Sequence, residues 1–147
     1  MLKKLIPSND KLLHEKILKC SYNLDRGKLS YTLTENMFHH NGVGLSANQI
    51  GIKERAFVMI SDMESQDTLT CFNPKIVKES KEMVTMEEGC LSYPELFLDI
   101  ARPETIVVKY EDEGKELPKI KLTGFIARIF QHEYDHMEGI DFTQRTK

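Results

Sequence analysis

One segment near the C-terminus, residues 122–137, constrains the fold of this chain more than any other. Its apolar side chains include Phe125 and Ile129, which recur at the spacing of a helix with one buried face. His132 and His136 continue that face, so apolar and titratable side chains point in the same direction. Other elements have to cover a face of this composition. We therefore predict a central helix that the rest of the chain encloses.

The same helix carries the sequence His-Glu-Tyr-Asp-His at residues 132–136. Two histidines four positions apart have Cβ atoms about 5–6 Å from one another, so both imidazoles can reach one metal ion. Glu133 follows the first histidine and would lie beside that ion, where it can take a proton from water. The alternative is a helix whose histidines and acidic neighbours only serve solubility. The position of the motif on the buried face favours a metal site.

A catalytic zinc-type site needs three protein ligands and one open position. Residues 137–147 contain no histidine, and their glutamate, Glu138, is too close to the motif to turn back, so the third ligand lies upstream. The upstream candidates are Cys20, Cys71, Cys90, His14, His39, His40 or a carboxylate. Cys90 follows Gly89, which allows a close backbone approach, and Pro94 is predicted to end the strand soon afterwards. For Cys90 by itself, simple packing in the core stays the alternative.

The rest of the chain is predicted to form helices followed by strands. Apolar spacing predicts one helix over residues 10–21 and a second over about 30–40 that ends at Asn41-Gly42. Segments rich in β-branched residues predict strands at 56–60, 75–78 and 105–110, and residues 112–114 predict a turn into a strand over 115–122. We predict one α+β domain over residues 1–147, with mostly antiparallel strands around a central C-terminal metal-binding helix and two N-terminal helices before them.

Composition argues against several classes of function. With 20 basic and 23 acidic residues the net charge is −3, so no overall basic field favours nucleic acid, although a local patch is compatible with this count. Apolar runs are too short for a membrane-spanning helix. Three cysteines without shared spacing argue against disulfides, and polar residues 7–11 stand where a signal peptide has its apolar core. We predict a cytoplasmic protein without a nucleic-acid or membrane partner.

Residues 41–49 form a second segment of interest. Gly42 and Gly44 flank Val43, which favours a loop that passes close to another group with its backbone available for hydrogen bonds. Gln49 could donate a hydrogen bond from its amide to a developing oxyanion. On this segment alone, an ordinary connection between a helix and a strand is the simpler interpretation.

Three segments together resemble the signature motifs of the peptide deformylase family, in the family's order and at about its spacing. They are GVGLSANQ at residues 42–49, EGCLS at 88–92 and QHEYDHMEG at 131–139. The resemblance implies a hydrolase that removes the N-formyl group from the initiator formyl-methionine of nascent peptides and releases formate. It implies Cys90, His132 and His136 as ligands of one divalent metal ion, and Glu133 as the general base and then acid. In this family the ion is usually Fe(II) in the cell, and Zn(II), Ni(II) or Co(II) can occupy the site.

The resemblance also implies how the substrate is held. The Gln49 side chain and the Leu91 backbone N–H would donate to the oxyanion, and the loop around Gly44 would bind the peptide as an added strand. We predict four walls for a flexible, apolar methionine pocket: Val43, Met86, Phe125 and Ile129. Core packing is the alternative role for Phe125 and Met86.

The chain departs from the family pattern in three places. Ser46 stands where alanine is common, and the sequence Leu-Phe-Leu at 96–98 replaces a stretch in which many members carry a charged, substrate-holding residue. Only eight residues follow Gly139, whereas bacterial members continue with a helix that contributes to ribosome docking. In this respect the chain resembles short, virus-encoded members. We therefore expect N-formyl-methionyl nascent peptides as partners and a location in the bacterial or host cytoplasm. Docking on the ribosome through that helix is not assumed.

Two other functions compete with this interpretation. An inactive deformylase-like module that only binds peptides would keep the fold, but it has no chemical need for Glu133. A general metallopeptidase would use the same helix, but the upstream Cys90 and the lack of a downstream ligand argue against it.

Overall fold

The computed structural model describes residues 1–114 and 116–146. In chain order the elements are α1 (Arg26–His39), β1 (Gly44–Ser46), β2 (Ala56–Asp62), β3 (Asp67–Glu79), β4 (Met83–Cys90), β5 (Tyr93–Pro103), β6 (Thr105–Glu111), β7 (Ile120–Thr123) and α2 (Gly124–Met137). Within the described residues, a five-stranded antiparallel sheet in the order β1-β2-β3-β6-β7 accompanies a two-stranded hairpin of β4 and β5. Short 3-10 helices cover Lys11–His14, Ala47–Ile50 and Phe142–Arg145. The α+β class and the antiparallel pairing are as predicted.

Alternation along β2 places the two α-helices on opposite faces of the sheet. Phe57 belongs to the apolar cluster that contains residues of α2, and its ring meets Phe130 edge to face at 5.1 Å. The next residue, Val58, belongs to the cluster that contains Leu29 and Leu33 of α1. Successive side chains of a strand point to opposite faces, so β2 is buried on both sides. The sheet thus holds α2 at the centre of the molecule.

The C-terminal helix confirms the prediction for residues 122–137 to within two residues. Thr123 is the N-cap residue of α2, but its hydroxyl donates to Glu104 Oε1 at 3.0 Å and makes no hydrogen bond to the helix. Nine of the fourteen residues of α2 are buried, including titratable ones such as Glu133 and His136. Among the described residues, no helix combines the length and the apolarity needed to cross a bilayer.

The predicted helix over residues 10–21 is wrong. Only the single 3-10 turn Lys11–His14 forms there, and the following residues make hydrogen bonds to other elements rather than to one another. The Ile17 amide donates to the Met137 carbonyl at 2.8 Å, and the Cys20 amide donates to Asn73 Oδ1 at 2.8 Å. Leu13 and Ile17 of this segment are buried, whereas Leu18 is 73% exposed, so the apolar spacing does not mark the buried face of a helix. One α-helix, not two, therefore precedes the strands.

The second predicted helix exists but begins earlier than expected. Asp25 caps α1 by accepting a hydrogen bond from the Lys28 amide at 3.0 Å, so the helix starts four residues before the predicted position. Its end agrees with the Asn41-Gly42 signal, because Asn41 has a φ of 61° and the Gly42 amide donates to the Met37 carbonyl at 3.0 Å. This is the left-handed turn with which many helices end.

The strands β2 and β6 confirm two predictions, and β3 extends well beyond the predicted 75–78. The predicted end of a strand at Pro94 is wrong, because Pro94 is the second residue of β5. In a two-stranded hairpin each strand is an edge, where a residue without an N–H is tolerated. Lys115, the first residue of the predicted strand over 115–122, lies outside the described residues. That strand, β7, begins at Ile120.

Candidate active site

Cys90, His132 and His136 come together at the end of β4, against α2. One ligand atom from each lies within 4.8 Å of the others, and the two imidazole rings are 5.3 Å apart. The remaining cysteine and histidine candidates do not join this group. Cys20 Sγ and the rings of His14 and His40 bond to backbone carbonyls, Cys71 is buried in the core, and the ring of His39 meets that of His40 edge to face. A thiol and two imidazoles form a donor set that fits a divalent transition metal with one position left open.

The Glu88 carboxylate and the Cys90 sulfur fix the orientation of the two imidazole rings. His132 Nδ1 lies 2.9 Å from Glu88 Oε1, which leaves Nε2 as the nitrogen available to a metal ion. His136 Nε2 lies 3.5 Å from Cys90 Sγ, so this ring also presents Nε2 to the thiol side of the site. The Asn48 side-chain amide donates to the His136 carbonyl at 2.9 Å and ties α2 to the 3-10 helix that follows β1.

Glu88 is held by two buried arginines that the sequence analysis missed. Arg102 contacts both Glu88 oxygens, at 2.5 and 2.9 Å, and also donates to Asp135 at 2.9 Å. Arg128 donates to Glu88 at 2.6 Å. Burial raises the pKa of Glu88, but hydrogen bonds from His132 and the arginines outweigh it and hold the pKa well below its usual range. The signal in the sequence was Arg128, four residues before His132 on the buried face, because a buried guanidinium needs a carboxylate partner.

The two histidines differ in their electrostatic surroundings. Burial disfavours the charged imidazole of His132, but hydrogen bonds to Cys90 and Glu88 outweigh it and raise its pKa to about 10. Burial, and then the charge of His132, lower the pKa of His136 to about 3. His136 is therefore neutral near pH 7, as a metal ligand must be. The negative groups that stabilise a proton on His132 would equally stabilise a metal cation.

Glu133 is buried beside the ligands in a space that Gly44 leaves open. A Cβ added to Gly44 would lie 2.6 Å from Glu133 Oε2, so only glycine permits this approach. Glu133 Oε1 is buried without a hydrogen-bond partner in the part of the chain that the structure describes. Burial raises the pKa of Glu133 to about 7, against the opposing influence of His132. A carboxylate of this kind can take up and return a proton at neutral pH.

The Gln49 side chain is oriented by Ser46. Both the backbone amide and the hydroxyl of Ser46 lie 3.0 Å from Gln49 Oε1, which directs Nε2 to the metal side. Gln49 Nε2 lies 3.0 Å from Ser92 Oγ and 3.7 Å from Cys90 Sγ. Leu91 follows Cys90 directly, and its side chain packs against Gly42. The two predicted oxyanion donors therefore flank the same ligand.

A cavity of about 310 Å³ opens beside these residues. Its lining includes three of the four predicted pocket walls, Val43, Phe125 and Ile129, together with Gly44, Gln49, His132 and Glu133. Met86 is not among the lining residues; it pairs with Ile100 across the β4–β5 hairpin. Phe97 also lines the cavity, and its ring lies over Gly89, where a Cβ would approach it to 2.8 Å. The exposed ring of Phe97, from the Leu-Phe-Leu stretch, therefore lines this cavity together with the exposed Glu87.

Comparison with known proteins identifies this arrangement. The model of the polypeptide deformylase family matches residues 2–147. The chain belongs to the peptide deformylase family. A peptide deformylase from Thermotoga neapolitana is 42% identical over 115 residues, an alignment that spans 78% of this chain and 68% of the relative.

Solved structures of peptide deformylases have the same fold. The crystal structure of the enzyme from Thermotoga maritima superimposes with a TM-score of 0.91 at 34% identity, covering 100% of this chain and 99% of the other. The enzyme from Acinetobacter baumannii with Met-Ala-Ser bound gives a TM-score of 0.90 at 30% identity, covering 99% and 98%. Peptide deformylases are metal-dependent, and here the three signature segments meet at one cleft, with Cys90, His132 and His136 as the group able to hold the ion.

Proposed function

We propose that this protein is an active peptide deformylase, a single catalytic domain over residues 1–147. It hydrolyses the formyl amide of N-formyl-methionyl nascent peptides to formate and a free N-terminal amine. The observation that carries the proposal is the buried Glu133 beside a Cys-His-His group. A buried, unsatisfied carboxylate oxygen costs about 1–3 kcal/mol of stability. An inactive peptide-binding module would bear this cost without any use for Glu133, so the active enzyme is the better explanation.

Cys90, His132 and His136 would hold the metal ion, with Glu88 keeping Nε2 of His132 directed to it. When bound, a divalent ion polarises the formyl carbonyl and lowers the pKa of water so that it can attack near neutral pH. From the family resemblance we propose Fe(II) in the cell. A thiolate beside two imidazoles also accepts Zn(II), Ni(II) or Co(II).

The protein's own groups move the proton and stabilise the charge. Glu133 takes a proton from the attacking water, the oxygen adds to the formyl carbon, and negative charge develops on the formyl oxygen. Gln49 Nε2 and the Leu91 N–H donate hydrogen bonds to that oxygen. Glu133 then returns its proton to the leaving nitrogen as the C–N bond breaks, which yields formate and the amine. A pKa of about 7 suits Glu133 to both steps.

The peptide is proposed to bind along β1. This strand is at the edge of the sheet, so its outer backbone groups can pair with an extended peptide. The methionine side chain would enter the cavity that Val43, Phe125 and Ile129 line. The Met-Ala-Ser that occupies the Acinetobacter relative agrees with a methionine-led substrate. Met86 stays a prediction as a fourth wall.

The substrate class sets where the enzyme works. We propose that it acts on formylated chains in the cytoplasm. A viral origin stays a prediction that rests on the sequence resemblance, and docking on the ribosome through the usual C-terminal helix is not assumed.

The decisive experiment measures formate release from formyl-Met-Ala-Ser by protein prepared anaerobically and loaded with Fe(II) or Ni(II). We expect rapid turnover of the formyl peptide and little turnover of the N-acetyl analogue, because the site is built around the small formyl group. Protein that holds one metal per chain and still releases no formate would contradict the proposal and favour the binding module.

A further inference from the structure

One part of the five-stranded sheet presents a lysine-rich face on the side away from α2. Helix α1 packs on that side against β1 and β2, and its N-terminal Arg26 reaches Glu111 at the end of β6. Beyond this contact the same face continues over β3, β6 and β7. Lys75, Lys78 and Lys121 are exposed there, whereas the intervening inward residues of β6, such as Val108, are buried.

The strand register gathers four lysines on this face. Lys75 of β3 is directly opposite Lys109 of β6. Val107 of β6 is opposite Lys78 of β3 on one side and opposite Lys121 of β7 on the other. Directly opposed residues of antiparallel strands share a face, and so do residues two apart, such as 107 and 109. Like charges in directly opposed positions destabilise a sheet, so the Lys75–Lys109 pair is unfavourable in the protein alone.

These lysines lack acidic partners within residues 1–114 and 116–146. None of the four makes an ion pair there, whereas Lys53, elsewhere on the surface, pairs with Glu15 at 3.1 Å. Glu111 shares the face, but its carboxylate is engaged by Arg26 at 2.8 Å. A chain of net charge −3 therefore concentrates uncompensated positive charge on one surface.

We propose that this lysine face, defined by Lys75, Lys78, Lys109 and Lys121, binds the phosphate backbone of RNA, as a local patch that the net charge of −3 allows. A polymer with a phosphate on every residue can engage lysines spread over three strands, which one small anion cannot. Val107, which lies between Lys78 and Lys121, offers no ring on which bases could stack, so binding is independent of base sequence. The choice of RNA rests on the proposed action on nascent peptides. The active-site cavity lies on the α2 side of the sheet, so RNA bound to the lysine face leaves that cavity accessible.

The test uses the full-length, metal-loaded protein and a fluorescently labelled 16-nucleotide RNA. Binding is followed by anisotropy between 50 and 200 mM salt, with a second RNA of unrelated sequence. Four phosphate contacts predict a slope of about −2.8 for log K against log salt, and so an affinity loss of about 50-fold over this range. The double variant Lys75→Gln/Lys109→Gln should halve that slope and weaken binding at 50 mM salt at least fivefold.

The matched control is Lys4→Gln/Lys11→Gln, which makes the same charge change at exposed positions outside the face. It should bind RNA like the unmodified protein. Equal losses in both variants, no loss in either, or tighter binding to anionic lipid vesicles than to RNA would overturn the proposal. Should the first variant fail to fold, Lys121→Gln alone should reduce the slope by about 0.7. Both double variants should release formate at the rate of the unmodified protein. A failure of the RNA-binding proposal can therefore be distinguished from a failure of the proposed deformylase function.

Discussion

Replacing Gly44 by alanine should impair catalysis by this deformylase without unfolding it. The added methyl group would lie 2.6 Å from Glu133 Oε2 and 3.0 Å from Cδ and Cγ of the same side chain. Gly44 does not have a positive φ, so alanine adds no backbone strain at this position. The strain therefore falls on the side chain that is proposed to move the proton.

The size of the effect follows from this distance. Non-bonded carbon and oxygen atoms need a separation of about 3.5 Å, so the carboxylate has to move by about 1 Å. A misplacement of this size in a reacting group costs about 10²-fold in rate. We expect kcat to fall by about 10- to 100-fold, while the free energy of unfolding changes by less than about 1 kcal/mol because Glu133 can shift its end.

The assay compares formate release, metal content and urea unfolding for Gly44→Ala and for the control Gly114→Ala. A Cβ on Gly114 meets no atom within 4 Å, so this variant should match the unmodified protein in all three. A kcat within twofold of the unmodified value for Gly44→Ala would refute the reasoning. So would a loss of activity that comes with a loss of metal or of folded protein.

Three further variants test the roles of single groups. Glu133→Ala should keep one metal per chain but lose about 10²- to 10⁴-fold in turnover, and an equally active variant would remove its role as general base. Cys90→Ser should lower the metal content measured by elemental analysis; unchanged content would exclude Cys90 as a ligand. Arg128→Leu should cost about 3 kcal/mol in urea unfolding, because it leaves the buried Glu88 carboxylate short of a partner. Lys53→Ala, from an exposed ion pair, should cost less than about 1 kcal/mol, and similar costs for both would contradict this reasoning.

Features of the sequence that depend on local spacing were predicted well. The periodicity of α2 and the four-residue spacing of His132 and His136 are properties of one helix, so no knowledge of the rest of the fold was needed. The third ligand was different. From the residues alone six cysteines and histidines stayed open, and the family resemblance was needed to choose Cys90. In the structure the choice depends on the β4–β5 hairpin, which carries Cys90 to His132, 42 positions later in the sequence.

Features that depend on contacts between distant segments were missed or wrong. The segment of residues 10–21 has helical spacing, yet its amide groups bond to Met137 and Asn73, and no local pattern encodes those partners. Arg102 and Glu88 look like surface charges in the sequence, but they are buried because each satisfies the other. Sequence patterns report which side chains avoid water, and they do not report which distant charge will neutralise a buried one.

The close contact between the N-terminal segment and the end of α2 has a consequence for biosynthesis. Gly139 has a φ of 74°, and a Cβ there would lie 2.7–2.9 Å from backbone atoms of Glu15. The Ile17 amide bonds to the carbonyl of Met137 in the same region. While the chain is being synthesised, the segment that contains Glu15 and Ile17 therefore lacks these contacts until α2 has been made. Contacts of such long sequence separation slow folding. The three metal ligands of this enzyme accordingly come together only after α2 has been synthesised.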